Sequence, residues 1–337
     1  MPVQRVHHNP LIFKHCIEDV GDRVERSAGP FRRHGDPRGH HAVTRLITCG
    51  IIVGVTSRPP FLQQLEHRWI EADTLLCVGL DPDAAKLPQP VRSHDDAIFE
   101  FCAGIVDATA DLVCAFKPQI AYFAALGAEA ELSRLIEHIH QRHPDVPVIL
   151  DAKRGDIPDT ARRYAAEAFE RYQADAVTVN PYLGPDSIEP FLSYRDRGVI
   201  VLCRTSNEDS GWLQNYPSDD EPVFLRVAAA ARSWNHHGNL MLVTGATYPP
   251  DLQRIRETAG DIPLLVPGVG AQGGDLASVL EAGLDRRGRG LVINASRSVL
   301  YAESGNGFAE AARTAAMRLR DQIRSLGAEV TAAYSTS

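Results

Sequence analysis

Acidic and basic residues alternate in one short segment, residues 151–156 (sequence DAKRGD). The segment follows an apolar run, residues 147–150, of the kind found in buried strands. Because side chains alternate between the two faces of a strand, Asp151 and Lys153 should point to the same side. A neighbouring carboxylate favours the charged lysine, which suits a proton donor and not a Schiff-base nucleophile. The segment predicts proton transfer, although a purely structural cluster of ion pairs would have the same spacing.

A second candidate site lies towards the end of the chain. A glycine-rich segment, residues 267–275 (PGVGAQGGD), follows the apolar run 263–266, and Arg297 closely follows the run 291–293. Glycines let backbone N–H groups approach an anion. Gln272 adds a neutral donor and Arg297 a planar charged fork. Together they predict a phosphate-binding site, and the alternative is a plain glycine turn.

Eight short apolar runs, separated by helical segments with an apolar stripe, would position these residues. The runs span residues 75–80, 112–116, 147–150, 176–179, 199–202, 240–243, 263–266 and 291–293. Continuous apolar runs are typical of parallel strands covered on both faces. Eight such units in about 270 residues predict an α/β fold with a single (β/α)8 TIM barrel. A doubly wound open sheet is the alternative, but its G-x-G-x-x-G loop is absent after the first run.

In a barrel the active site lies at the rim formed by the carboxyl ends of the strands. Charged and polar residues follow the predicted strands at this rim, where a random distribution would scatter them. They include Asp81, Lys117, Asp151, Asn180, Thr205, Thr244 and Asn294.

Several of these segments resemble the motifs of orotidine 5′-monophosphate decarboxylases. They are residues 79–82 (GLDP), 116–118 (FKP), 151–160 (DAKRGDIPDT), 267–275 and Arg297. The resemblance covers roughly residues 58–328 and is nearest to the bacterial subgroup with the DAKRGD motif. It implies a cofactor-free and metal-independent homodimer that converts orotidine 5′-monophosphate to UMP and CO2 in de novo pyrimidine biosynthesis.

The resemblance also implies catalytic roles. Lys153 would protonate C6 of the pyrimidine, and Asp151 would lie against the departing carboxylate. Lys117 and Asp156 would complete a network of alternating charge. Asp156 and Thr160 would reach into the active site of the partner subunit, so that the two sites of a dimer are shared.

Substrate-binding roles are implied in the same way. Asp81 would hold the ribose hydroxyls, while Gln272 and Arg297 would hold the phosphate. Ser206 is the best match for the serine that contacts the pyrimidine, and the adjacent Thr205 leaves that placement open. The family more often has glycine before its phosphate-binding arginine than the serine found here at position 296, a change that should not disable the site.

Two other functions fit part of the pattern. A sister group of phosphosugar enzymes shares Asp-x-Lys-x-x-Asp but binds Mg²⁺ through a glutamate at the end of the second strand. This chain has Lys117 there, and a cation would repel the metal. A non-catalytic barrel that binds a phosphate ligand is the other alternative, but grouped charges carry a desolvation penalty that such a barrel would not need.

Composition limits the remaining possibilities. The 337 residues carry a formal net charge of −8, which argues against a general nucleic-acid binder. No apolar run approaches the ~20 residues needed to cross a membrane. The six cysteines form no C-x-x-C pair and predict reduced thiols in a cytoplasmic protein. Residues 1–57, rich in histidine, predict an N-terminal extension that is disordered or not native, followed by the barrel over 58–328 and a C-terminal tail over 329–337.

Overall fold

The computed structural model describes residues 58–269 and 275–336, within a unit that spans Ser57–Ser337. The predictions for the extension 1–57 and for Gln272 lie outside these residues.

Eight parallel strands form the centre of the described structure. They are β1 (Leu76–Leu80), β2 (Ala115–Pro118), β3 (Ile149–Arg154), β4 (Ala176–Val179), β5 (Gly198–Arg204), β6 (Leu240–Thr244), β7 (Leu264–Pro267) and β8 (Leu291–Ala295). Their order is β2-β1-β8-β7-β6-β5-β4-β3. Bridges from Phe116 to Val148 and from Gln119 to Asp151 join the two ends of the sheet. The (β/α)8 barrel is therefore confirmed, and the open sheet is wrong.

Each predicted run overlaps a strand, but some boundaries differ. The second run was expected from residue 112, whereas Ala110–Leu112 form a 3-10 turn that continues the preceding helix, and β2 begins at Ala115. The third run was expected to end at residue 150, whereas β3 continues to Arg154. A count of apolar residues stops at the first charge, while the backbone pairing of a strand does not depend on side-chain polarity. Asp151 and Lys153 therefore lie within β3 itself.

Twelve helices accompany the strands in the described residues. They are α1 (Phe61–Glu71), α2 (Ala97–Thr109), α3 (Ile120–Ala124), α4 (Glu129–Arg142), α5 (Pro158–Ala166), α6 (Glu189–Leu192), α7 (Gly211–Gln214), α8 (Val223–Trp234), α9 (Pro249–Ala259), α10 (Leu276–Gly283), α11 (Arg297–Leu300) and α12 (Phe308–Thr336). A π-helical turn, Glu167–Arg171, extends α5. The apolar stripes expected from the sequence are buried; in α4 they are Leu132, Leu135, Ile136 and Ile139.

The last helix runs further than expected. Residues 329–336, predicted as part of a tail, continue α12, so a boundary at residue 328 falls inside a helix. The segment contains no proline, and Gly327 lowers helix stability by only about 1 kcal/mol. The Thr331 hydroxyl donates a hydrogen bond to the Gly327 carbonyl and supports this turn. None of the described helices is both long and apolar enough to cross a lipid bilayer.

A buried carboxylate, Asp175, lies just before β4 at the end of the barrel where the strands begin. Arg58 contacts both its oxygens, through Nε to Oδ1 at 3.0 Å and through Nη2 to Oδ2 at 3.2 Å. His140 lies 3.0 Å from Oδ2, and the Val148 N–H donates to the same oxygen at 2.9 Å. Gln64 donates to Oδ1 at 3.1 Å. The start of the described chain is thus tied to the base of the barrel.

Candidate active site

Three charged side chains from β2 and β3 meet at the opposite end, where the strands terminate. Asp151 accepts a hydrogen bond from Lys117 Nζ on Oδ2 at 2.8 Å and one from Lys153 Nζ on Oδ1 at 2.6 Å. Lys117 and Asp151 are buried, with 4% and 7% of their surface exposed. The Lys153 side chain, in contrast, is 45% exposed. One ammonium of the network is therefore accessible to a ligand at the rim.

Mutual attraction keeps the buried pair ionised. Burial alone would lower the pKa of Lys117, but the negative charges of Asp151 and Asp81 outweigh it and raise that pKa above its ordinary value. Burial alone would raise the pKa of Asp151, but the charges and hydrogen bonds of Lys117 and Lys153 hold it well below its usual range. The site therefore keeps a carboxylate and an ammonium in contact at neutral pH.

The backbone that carries these groups is irregular. Leu150 pairs with Val177 and Arg154 with Val179, so four steps along β3 match two steps along β4. Lys153 has φ +48°, in the left-handed region that non-glycine residues seldom adopt. The predicted contact between Asp151 and Lys153 is confirmed, but regular strand alternation does not produce it, because β3 bulges between them.

At the end of β1, Asp81 offers an unused acceptor. Its Oδ2 accepts a hydrogen bond from the Ser296 hydroxyl at 2.6 Å. Its Oδ1 is buried and has no hydrogen-bond partner among the described residues. A buried carboxylate oxygen without a donor is unfavourable unless a ligand supplies one, and a sugar hydroxyl could do so. Ser296 thus orients Asp81.

The end of β5 distinguishes Thr205 from Ser206. The Thr205 hydroxyl accepts from Gln214 Nε2 at 2.8 Å and donates to Asn207 Oδ1 at 2.7 Å. The Ser206 hydroxyl has no partner among the described residues, although its carbonyl accepts from Thr247 at 3.3 Å. Gly245 permits the close approach of β6, since a Cβ there would lie 2.7 Å from the Ser206 backbone. Ser206 is thus the hydroxyl left available to a ligand.

Arg297 begins α11, two residues after β8 ends. Its side chain is exposed and makes no ion pair or hydrogen bond with the described residues. Val269, the last described residue before the undescribed part of the glycine-rich segment, follows β7, which neighbours β8 in the sheet. An exposed guanidinium without a partner among the described residues is available to bind an anion.

Asp156 and Thr160 remain outside the network within this chain. Asp156 Oδ1 accepts a hydrogen bond from the Ile157 N–H at 2.7 Å. Thr160 lies in the first turn of α5, and its hydroxyl has no partner among the described residues. Neither side chain contacts Lys117, Asp151 or Lys153 within the described residues.

Comparison with known proteins assigns the chain to a family. A family model described as "Orotidine 5'-phosphate decarboxylase / HUMPS family" matches residues 74–313, a range that includes all eight described strands. The chain belongs to this family. The orotidine 5'-phosphate decarboxylase of Dechloromonas aromatica (strain RCB) is 58% identical over 264 residues, which cover 78% of this chain and 98% of that protein. The one from Ralstonia pickettii (strain 12J) is 57% identical over 264 residues, covering 78% and 97%.

Solved structures give the same assignment. The OMP decarboxylase of Leishmania donovani is 40% identical to this chain, with a TM-score of 0.69, and the match covers 80% of this chain and 99% of that one. The resemblance to orotidine 5′-monophosphate decarboxylases, noted from the DAKRGD and glycine-rich motifs, is therefore confirmed at the level of the family.

Sequence inspection missed two residues at the rim of this decarboxylase-family barrel. Thr178, on β4, is buried, and its hydroxyl donates to Asp151 Oδ1 at 2.8 Å. It is the single hydroxyl in the apolar run AVTV, and that exception could have identified it. Gln214, the last residue of the four-residue helix α7, donates to the Thr205 hydroxyl, but so short a helix gave no periodic pattern by which to identify it.

A group that could hold a metal ion lies at the other end of the barrel. Asp107, His138 and His143 come from the last turns of α2 and α4 and the residue after α4, and their ligand atoms lie within 4.8 Å of one another. Both imidazoles contact Asp107 Oδ1, at 2.9 and 2.7 Å. The hydrogen bonds already account for this cluster, and it includes none of the predicted site residues.

Proposed function

We infer that the chain is an orotidine 5′-phosphate decarboxylase, a carboxy-lyase that converts orotidine 5′-monophosphate to UMP and CO2 in pyrimidine biosynthesis. Membership of the family and 55–58% identity to relatives of that name support this function. The single structural observation that supports it best is the half-exposed Lys153 ammonium held on the buried Asp151 carboxylate.

The reaction needs a charge at one carbon and then a proton there. Loss of CO2 breaks the bond from C6 to the carboxylate carbon and leaves the electron pair on C6. The Lys153 ammonium stabilises that developing charge and transfers its proton to C6, after which the neutral amine regains a proton from solvent. Asp151 holds the ammonium in place and crowds the substrate carboxylate, and Lys117 fixes Asp151 from the other side.

The remaining rim residues bind the parts of the substrate that do not react. Asp81 accepts hydrogen bonds from the ribose hydroxyls through its unpartnered oxygen. Ser206 contacts the pyrimidine, because the hydroxyl of its neighbour Thr205 is already occupied. Arg297 and Gln272 bind the phosphate. Binding energy from that remote group can be used to raise the rate at C6.

An ultraviolet assay with purified protein and orotidine 5′-monophosphate tests the function directly. Turnover to UMP should proceed without added metal and be undiminished by EDTA, since Lys117 and Lys153 occupy the positions around Asp151 that a divalent cation would need. Binding without turnover would support a non-catalytic phosphate-binding barrel instead. Activity lost on chelation and restored by Mg²⁺ would contradict the metal-independent mechanism.

The active enzyme is a homodimer with shared active sites. Among the described residues, Asp156 and Thr160 form no hydrogen bond or ion pair with Lys117, Asp151 or Lys153 of their own chain. Large apolar side chains beside them or after β4 are exposed: Ile157 by 60%, Tyr182 by 77% and Leu183 by 51%. Exposed apolar side chains, together with polar residues that the charged network of their own chain does not use, are suited to a symmetric partner.

Hybrid dimers test the shared site. Mixing inactive Lys153→Ala with inactive Asp156→Ala should give hybrids in which one of two sites is fully wild type, restoring up to about half of the wild-type activity per hybrid. Verified subunit exchange without recovery would assign Asp156 to its own subunit's site.

The enzyme acts in the cytoplasm on a small anionic substrate and binds neither nucleic acid nor membrane. Four cysteines, Cys77, Cys102, Cys114 and Cys203, are free and buried, which suits a reducing compartment. Fractionation of cells, with the protein followed by immunoblot, would test this location.

A further inference from the structure

The bulge in β3 leaves backbone groups without their usual partners. Between the pairs Leu150–Val177 and Arg154–Val179, the bulged segment of β3 faces only Thr178 on β4. The pairing resumes where the Asn180 N–H donates to the Arg154 carbonyl at 2.7 Å. N–H groups in a bulge must find another acceptor, because an unpaired buried donor is unfavourable.

The Thr178 hydroxyl provides that acceptor. It accepts hydrogen bonds from the N–H groups of Ala152 and Lys153, both at 2.9 Å. It donates its own proton to Asp151 Oδ1 at 2.8 Å. A hydroxyl has one donor and two acceptor positions, so all three are used. Thr178 is 1% exposed, and solvent does not compete for these bonds.

The same oxygen of Asp151 receives both Thr178 and the Lys153 ammonium. The hydroxyl therefore constrains Lys153 twice. It fixes the backbone from which the lysine side chain starts, at φ +48°, and it fixes the carboxylate on which the side chain ends. A lysine has a flexible four-carbon stem, so the position of its ammonium depends on how firmly the backbone and the carboxylate are held.

We propose that Thr178 is a positioning residue, which holds Asp151 and Lys153 in the geometry required for proton transfer to C6. The proposal rests on the proton-donor role given to Lys153 above. Thr178 acts through its hydroxyl and does not touch substrate. Its removal should slow the chemical step and leave binding of the ribose and phosphate unchanged.

Thr178→Val tests the proposal, because valine keeps the shape and β-branching and removes only the hydroxyl. We expect kcat to fall by about 10- to 100-fold, the scale for small misplacement of a catalytic group. KM for orotidine 5′-monophosphate and Kd for UMP should change by less than about threefold, as for an interaction made only in the transition state. Thr178→Ser retains the hydroxyl and should keep kcat within about threefold of wild type.

Three results would overturn the proposal: a valine variant with wild-type kcat, a folded serine variant as impaired as valine, or a loss confined to KM. Thermal unfolding of each variant checks that it is folded at the assay temperature. If valine unfolds, Thr178→Ala takes its place with the same expected loss of kcat, and a large loss of kcat in the serine variant would still contradict the role. Lys153→Ala, assayed in parallel, separates this outcome from failure of the proposed function, because full activity there would remove the proton-donor role itself.

Discussion

Two buried carboxylates lie at opposite ends of the barrel, and both have a lowered pKa. At the base, the hydrogen bond and charge of His140 and the charge of Arg58 overcome the effect of burial and hold the pKa of Asp175 at about 2. At the rim, Lys117 and Lys153 do the same for Asp151. At both ends burial opposes ionisation of the carboxylate, and at each end a different set of partners overcomes it.

The difference lies in the partners. Every described partner of Asp175 is a buried or partly buried group fixed between the start of α1, the end of α4 and the adjoining strands. Asp151 has one buried partner and one half-exposed partner, Lys153. A saturated network contributes only stability, whereas a network with one accessible cation can also act on a ligand. In barrels of this class the rim carries catalysis and the base carries stability.

Removal of Lys153 should show most clearly that the rim of the barrel serves catalysis. We expect Lys153→Ala to lower kcat by at least ~1,000-fold, since it deletes both the proton donor and the charge that stabilises C6. UMP should still bind, because its ribose and phosphate contacts lie elsewhere on the rim. Steady-state kinetics and UMP calorimetry measure the two effects.

Lys86→Ala is the matched control for this loss. Lys86 is a surface lysine that pairs with Asp83, and its removal should leave kcat unchanged. A Lys153→Ala enzyme that kept more than about a tenth of wild-type kcat would contradict the role of Lys153.

Disruption of the base should give the opposite result. Asp175→Asn leaves Arg58 with a neutral partner in a buried site, and removal of one charge from a buried pair typically destabilises by about 3–5 kcal/mol. Chemical unfolding should show that loss, while kcat per folded molecule stays at the wild-type value. Asp96→Asn, which weakens an exposed contact with Arg134, should change stability by less than about 1 kcal/mol. Equal losses of unfolding free energy in the two variants would show that the buried contacts of Asp175 contribute no more to stability than an exposed ion pair.

Loss of the phosphate contact should be smaller than loss of Lys153. Arg297→Ala should reduce kcat/KM for orotidine 5′-monophosphate by about 100-fold, or ~3 kcal/mol, as one charge-assisted contact disappears. The nucleoside orotidine lacks the phosphate, so its kcat/KM should be low in the wild-type enzyme and should not change in the variant. A wild-type enzyme that used orotidine as well as the monophosphate would disprove the phosphate role.

Most of the barrel could be predicted from the sequence, but only part of the geometry of the site could. Apolar runs predicted the strands, and the rule of strand alternation predicted that Asp151 and Lys153 lie close together. Alternation is a local rule, however, and the bulge between these residues depends on Thr178, a residue of the next strand. The choice between Thr205 and Ser206 depends on Gln214, at the end of the short helix α7, whose side chain bonds to Thr205. Asp175 gave no signal because Arg58 and His140 are distant in the chain.

Titration of Asp175 should give a modest pH effect. Its folded pKa of about 2 lies below the value of an unfolded aspartate, so its contribution to stability is complete above about pH 5 and is lost as pH falls towards 2. Between pH 5 and pH 3, wild type should lose about 1 kcal/mol more unfolding free energy than Asp175→Asn. Parallel curves for wild type and Asp175→Asn would rule out the lowered pKa.

The smallest expected effect concerns the residues that precede Arg58, which contacts Asp175 at the base of the barrel. The first described residue, Arg58, supplies three hydrogen-bonding nitrogens: Nε to Asp175, Nη1 to the Pro144 carbonyl at 2.8 Å, and Nη2 to Gln64 at 2.6 Å. We therefore expect that a chain beginning at Arg58 after an initiator methionine keeps wild-type kcat and unfolding free energy. The same truncated chain with Arg58→Gln should lose stability but not kcat per folded molecule, because the glutamine cannot neutralise the buried carboxylate. If removal of residues 1–57 alone reduced either quantity, those residues would belong to the working enzyme, and the base of the barrel would extend beyond Arg58.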